Sequence, residues 1–175
     1  MGSASRNACF LLLSAAALDG VGGLVLGIEL ALATLTVLVI MFVHLMGLAM
    51  LTRVLRSHSR AISEVRLLPL TLLLVAGAGI ITIHTVEIWI YAGIYLGLGA
   101  LSQFEEALYF STSTYSSIGY GDILMPHDWR IFGAIEGPVG IIMLGWSTAF
   151  LVSLLARLKL LRHDWLRRED ESEDE

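Results

Sequence analysis

The sequence predicts an all-α integral membrane protein with three spanning helices and a short helix-and-loop segment that re-enters from one face. Three observations carry this. Three long apolar runs occupy most of the chain. Between the second and third lies a short polar helical segment followed by a glycine-alternating stretch, Thr114 to Asp122, that reads TYSSIGYGD. Nine of the eleven lysines and arginines fall in two places, between the first two runs or after the third.

Composition supports the membrane class. The 175 residues are 56% hydrophobic and 15% charged, with mean hydropathy +0.76, where a soluble domain carries about 25% charge. The formal charge of −5 is a property of one end. Residues 164–175 hold seven acids and two arginines, a net −5, so the remainder is neutral. Nothing in that balance points to a nucleic-acid partner. The single cysteine, Cys9, excludes an intrachain disulfide and a cysteine metal cluster. No internal repeat is visible.

In order, residues 1–23 form an N-terminal segment with a short apolar helix over 8–18, shorter than the roughly 20 residues a span requires. Arg6 before it and Ser14-Ala15-Ala16-Ala17 within it have the look of a signal peptide. The other reading is an interfacial helix retained in the mature chain, and retention is the expectation. Asp19-Gly20 and Gly22-Gly23 are expected to break the helix. Residues 24–52 form a peripheral transmembrane helix, its apolar run Leu24 to Leu51 interrupted by Glu29 and His44. A basic loop, 53–66, carries Arg53, Arg56, Arg60 and Arg66. An outer helix spans 67–93, with Trp89, Tyr91 and Tyr95 read as an aromatic belt at its exit from the hydrocarbon. Gly97 to Ser102 is a turn. A short helix follows over 104–115, with Glu105 and Glu106 placed to favour its dipole. The loop 116–122 and a helix over 129–161 complete a 67–161 unit. An acidic tail, 162–175, cannot bury a core.

The arginine clusters set orientation. By the positive-inside rule both are cytoplasmic, so the N-terminus is outside, the C-terminus is cytoplasmic, and the 104–122 segment enters from the outer face. Glycine adopts φ > 0 at little cost, and glycine at alternate positions lets successive carbonyls face one side. A ring of such carbonyls replaces the water shell of a dehydrated cation. One copy of residues 116–121 cannot surround an ion, whereas four can, which calls for a homotetramer.

The segment Ser117-Ile118-Gly119-Tyr120-Gly121-Asp122 resembles the T-V-G-Y-G-D selectivity filter of the potassium channel superfamily. The wording WRIFGAIEG and GWSTAFL further resembles small bacterial ion channels of two-pore-domain-like type. The resemblance covers roughly residues 67–160. It implies a homotetrameric potassium-channel pore fold, with helix 104–115 as pore helix and K⁺ bound at Ser117, Ile118, Gly119 and Tyr120, and with Gly121 completing the filter. It implies filter support from Tyr109, which keeps a donor toward Asp122, and from Ser113, Ser116 and Glu136. Tyr109-Phe110 stands where many members have a tryptophan pair, and Ser113 where some have a buried acid. Trp129 resembles the residue that opens the inner helix. Gly140 or Gly145 falls near the family's hinge, and Pro138, which clashes with the carbonyl of Ala134, is expected to bend that helix.

Several residues keep two readings. Glu136 either bonds pore-helix hydroxyls or sits wet near the outer interface. His44 is either a proton sensor or a hydrogen-bonded membrane histidine. His84 and Glu87, three apart on one face, are either an external pH or cation sensor or a structural pair. Glu105, Glu106 and Asp128 either gather cations at the mouth or are ordinary helix and loop acids.

No nucleophile–base pairing suggests an enzyme, and no cofactor is implied beyond K⁺ as permeant ion. No span carries the arginine ladder of a voltage sensor, which leaves lipids, pH, tension, the filter or a separate regulatory partner as gating influences. The expected function is passive K⁺ conduction across a plasma membrane, a bacterial inner membrane by resemblance. The alternatives are a weakly selective cation channel and a non-conducting scaffold or modulatory subunit that keeps the pore fold.

Overall fold

The computed structural model describes the backbone of residues 3–61 and 68–157 and the side chains of residues 23–57 and 70–157. Four α-helices follow in order: α1, Ser3–Ala61; α2, Leu68–Gly97; α3, Phe104–Tyr115; and α4, Arg130–Arg157, entered through a 3₁₀ turn at His127–Trp129. The described residues contain no strand. Among the described residues three segments are long and apolar enough to cross a bilayer: Gly23–Ser57, Leu70–Gly97 and His127–Arg157.

The sequence explains the helices through their buried stripes. On α1 the buried positions are Glu29, Ala33, Thr36, Ile40, His44, Leu51 and Leu55, which recur at the three- and four-residue spacing of one helix face. On α2 they are Leu72, Ala76, Ile83, Glu87, Tyr91 and Tyr95, and on α4 Phe132, Glu136, Val139, Met143 and Ser147. The opposite faces carry exposed large apolar side chains such as Leu35, Phe42, Leu74, Ile81, Ile141 and Val152. Such a surface suits hydrocarbon, not water.

The chain divides into two compact units. The first comprises Met1–Met41 and Ile88–Ile141. Its core is aromatic: Tyr95 meets Phe110 and Phe132 edge to face at centroid distances of 5.4 and 5.7 Å. The second comprises Phe42–Glu87 and Ile142–Glu175. There Leu51, Leu55, Leu72, Ala76 and Ile83 form an aliphatic cluster. Small residues bring its helices close: a Cβ on Gly47 would stand 2.7 Å from Ile83 Cγ1, and one on Gly79 would stand 2.5 Å from Leu51 Cδ1. Lipid-embedded helices commonly pack through such small residues.

The helix differs from the sequence expectation in three places. α1 is continuous through Asp19-Gly20 and Gly22-Gly23, so the expected break is absent. A helical glycine costs about 1 kcal/mol, which lowers helix propensity without forbidding the helix. α1 also continues past Leu51 to Ala61, taking in Arg53 and Arg56 of the expected loop. α2 ends at Gly97 instead of 93, closed by Gly99 in the left-handed region at φ 66°. The 62–66 part of the basic loop and the acidic tail lie outside the described residues.

Gly140 has a specific steric duty. A Cβ there would lie 2.0 Å from the carbonyl oxygen of Tyr115, the last residue of α3, whereas one on Gly145 would meet nothing within 4 Å. α4 runs unbroken through Pro138, and the α3 backbone comes against it most tightly at Gly140, with the Thr114 carbonyl oxygen also 3.5 Å from a Cβ placed on Gly137. Gly140→Ala is expected to destabilise the protein by about 1–3 kcal/mol through overpacking, read as a lowered thermal midpoint in detergent. Gly145→Ala is expected to leave the midpoint unchanged or raise it.

Candidate functional site

The site is built on α3 and the loop that leaves it. Tyr115 ends the helix, and the Ser116 N–H still donates to the Thr112 carbonyl. The Ile118 and Gly119 amides then turn back to the same acceptor, the Ser113 carbonyl, at 2.9 and 3.1 Å. These two bonds fold the loop against the negative end of the α3 dipole. The Ser113 hydroxyl itself donates to the Phe110 carbonyl at 3.0 Å. The Ser116 hydroxyl lies 2.7 Å from the Thr112 carbonyl oxygen and 3.2 Å from that of Ser113.

Beyond this point the backbone alternates. Ser117, Gly119 and Gly121 have φ of 59°, 55° and 77°. The left-handed region at every second residue is what a row of glycines permits. Ser117 adopts it without being glycine, a conformation uncommon for a residue with a Cβ. Ile118 and Tyr120, between them, are exposed in the single chain.

The loop is anchored at its far end. The Tyr109 hydroxyl donates to Asp122 Oδ2 at 2.9 Å, and the Ile123 N–H donates to Asp122 Oδ1 at 3.1 Å. The Tyr109 and Tyr120 rings stack 6.3 Å apart at 18°. Tyr109 thus touches both sides of Gly121. The Asp122 bond raises the Tyr109 phenol above its ordinary pKa. The phenol is therefore a neutral donor below its ordinary pKa of about 10, and the bond is lost only as the pH rises beyond that.

Behind α3 lies a carboxylate. Glu136 is fully buried. It accepts from the Tyr95 hydroxyl at Oε2 and from the Ser111 hydroxyl at Oε1, each at 2.5 Å. The Ser111 oxygen also lies 3.0 Å from the Ile88 carbonyl oxygen. One acid therefore joins α2, α3 and α4. Of the two readings of Glu136, the structure has the one with a bond to an α3 hydroxyl.

One of the sequence expectations needs correction. Tyr91 and Tyr95 are not belt residues: they are 1% and 0% exposed, against 57% for Trp89. Four and eight residues after Glu87, they share its inward face, and Tyr95 spends its hydroxyl on Glu136. His44 takes the second of its two readings, a hydrogen-bonded membrane histidine, and its partner is Glu87 of α2, with Nδ1 2.8 Å from Oε1. Glu29 was read only as an interruption. Its Oε1 accepts the Phe132 N–H at 2.8 Å, so it satisfies one of the open amides in the first turn of α4. The signal in the sequence was a carboxylate on the buried stripe of a span, since such acids need partners.

A family model described as an ion channel matches residues 70–157, just over half of the chain. The matched range takes in α2, α3, the loop and α4. The chain belongs to this family, the two-pore-domain and potassium-channel-like ion channels. No curated protein and no solved structure matches it. Family and apolar helices together make it a multi-pass membrane protein in contact with lipid, in a class that passes ions passively.

Replacing Glu136 tests the buried bond set. Glu136→Leu strands the Tyr95 hydroxyl in an aromatic core and is expected to cost about 1–3 kcal/mol. Glu136→Gln keeps an acceptor and is expected to cost less. Thermal unfolding followed by tryptophan fluorescence checks both.

Proposed function

We propose that this chain is the subunit of a homotetrameric, potassium-selective channel whose filter is residues 117–121. The observation that carries the reading is the alternation of left-handed backbone at Ser117, Gly119 and Gly121 within a sequence that resembles T-V-G-Y-G-D. Alternation aims carbonyls to one side, and four such loops around an axis supply stacked carbonyl rings for dehydrated K⁺. Two amides of the loop are spent on Ser113, which leaves carbonyls as the groups available to an ion. The end of α3 adds the negative pole of its dipole beneath them. Tyr109, Ser113, Ser116, Asp122 and Glu136 brace the loop, and Gly140 seats it on α4.

In this proposal the N-terminus is outside and the C-terminus is cytoplasmic, in a bacterial inner membrane. The positive-inside distribution of arginines supports the orientation, and the bacterial membrane rests on the sequence resemblance alone. A weakly selective cation channel is the second reading. Ser117 and Phe110 favour it, because the first replaces the usual threonine and the second offers no hydrogen-bond donor to the loop.

Reversal potential under a K⁺/Na⁺ gradient in liposomes decides between them. The potassium reading expects reversal near the K⁺ equilibrium potential and block by Ba²⁺. Equal Na⁺ and K⁺ currents would reject selectivity, and no current would favour a non-conducting scaffold. Gly119→Asp is expected to abolish flux while the tetramer still elutes intact, because a side chain then fills the ion path. Unchanged conduction would put the path elsewhere. Tyr109→Phe is expected to conduct with weakened selectivity, read from the same reversal potential.

A further inference from the structure

The second unit holds a cluster that the conduction reading does not use. His44 on α1 and His84 and Glu87 on α2 are all buried. Glu87 reaches both histidines: Oε1 lies 2.8 Å from His44 Nδ1, and Oε2 lies 3.2 Å from His84 Nδ1. One candidate ligand atom from each residue falls within 4.8 Å of the others. On the far side of both rings stands Ser147 of α4, its Oγ 3.0 Å from His84 Nε2 and 3.5 Å from His44 Nε2. The two rings are 5.4 Å apart, and Trp146 lies 6.0 Å from His44.

We propose that His44, His84 and Glu87 form a binding site for one divalent transition-metal ion of the Zn²⁺ type. The donor set is the first reason. Two imidazole nitrogens and one carboxylate oxygen suit Zn²⁺ and leave a fourth position for water. The spacing is the second. Around a tetrahedral zinc, with bonds of about 2.0–2.1 Å, donors stand roughly 3.3 Å apart. Here the histidine nitrogens lie 2.8 and 3.2 Å from the two different oxygens of Glu87, and one donor atom from each residue falls within 4.8 Å of the others, so small side-chain shifts bring the set to that spacing. His84 and Glu87, three residues apart, project from one helix face, so one rigid element fixes two ligands.

The outer contacts are the third reason. A metal on Nδ1 needs the tautomer that carries its proton on Nε2. Metal-bound histidines commonly donate that N–H to a fixed acceptor, and here both Nε2 atoms face the Ser147 oxygen. A hydroxyl oxygen has two lone pairs, enough to accept both. The fourth reason is charge. A carboxylate at membrane depth is costly unless compensated, and a dication compensates it. His84 keeps 11% of its side chain exposed, so the cluster is not sealed within the chain.

The test uses the full chain, purified, stripped with a chelator and dialysed against micromolar Zn²⁺. Elemental analysis is expected to find about one zinc per chain above the stripped control. His44→Gln and His84→Gln are each expected to lose it, and Ser147→Ala to weaken affinity by about 10–100-fold. Co²⁺ added to the unaltered chain is expected to give the intense visible bands of tetrahedral coordination, a readout that needs no variant to fold. Absence of bound zinc, a Co²⁺ spectrum that stays that of the aqueous ion, or zinc retained in both histidine variants would each overturn the proposal. Stability that changes with pH while no metal binds would likewise overturn it and identify the cluster as a shared-proton site.

Discussion

Hydrocarbon offers nothing that solvates a carboxylate, and this constraint organises the described helices. Three acids sit on the buried stripes of spanning segments: Glu29, Glu87 and Glu136. Each is met by groups from another helix. Glu29 takes a backbone amide of α4, Glu87 takes a histidine of α1 beside one of its own helix, and Glu136 takes hydroxyls of α2 and α3. Apolar packing alone discriminates poorly between helix registers in lipid, because lipid tails are as apolar as leucine. Directional bonds to a buried acid select one register, since a shift of one residue leaves the acid without partners.

The loop after α3 follows a related logic. A non-helical backbone at membrane depth must spend its polar groups somewhere. Here amides 118 and 119 are spent on Ser113, and Asp122 is held by Tyr109 and its own neighbour. What holds the loop is therefore mostly backbone and hydroxyl chemistry close in sequence, while the acid behind α3 fixes the helix that carries it. The approach of Gly140 to Tyr115 joins the two, because it lets α4 lie against the end of α3 without an intervening side chain.

Much of this was legible in the sequence, and for definite reasons. The long apolar runs give the spans, because length and hydropathy are sufficient signals. Phe104 to Tyr115 reads as a helix from its acidic first turn and the turn residues around it. The Tyr109 to Asp122 bond follows from a donor placed beside a filter-like loop. Other features were not legible, because they are contacts between distant segments. Nothing local says that His44 meets Glu87, forty-three residues on, or that Glu29 meets Phe132, one hundred and three residues on. The inward turn of Tyr91 and Tyr95 was hidden by the general preference of tyrosine for interfaces. The continuity of α1 through its glycines is not legible either, because a glycine lowers helix propensity without ending a helix.

The Glu29 bond has a consequence for biosynthesis. Chains emerge from the ribosome at about 5–20 residues per second, so α1 enters the membrane some 5–20 seconds before Phe132 has been made. For the whole of that interval Glu29 lacks its later partner on α4, whereas His44 lacks Glu87 only until α2 has been made. A charged residue opposes insertion, by up to about 2.5–3.5 kcal/mol at the centre of a span and by less at Glu29, seven residues into Gly23–Ser57, and the leucine- and valine-rich surroundings of Glu29 must outweigh that cost alone. The apolar excess of the first span is therefore more than a lipid-facing coat. It holds the helix in place until the fourth arrives.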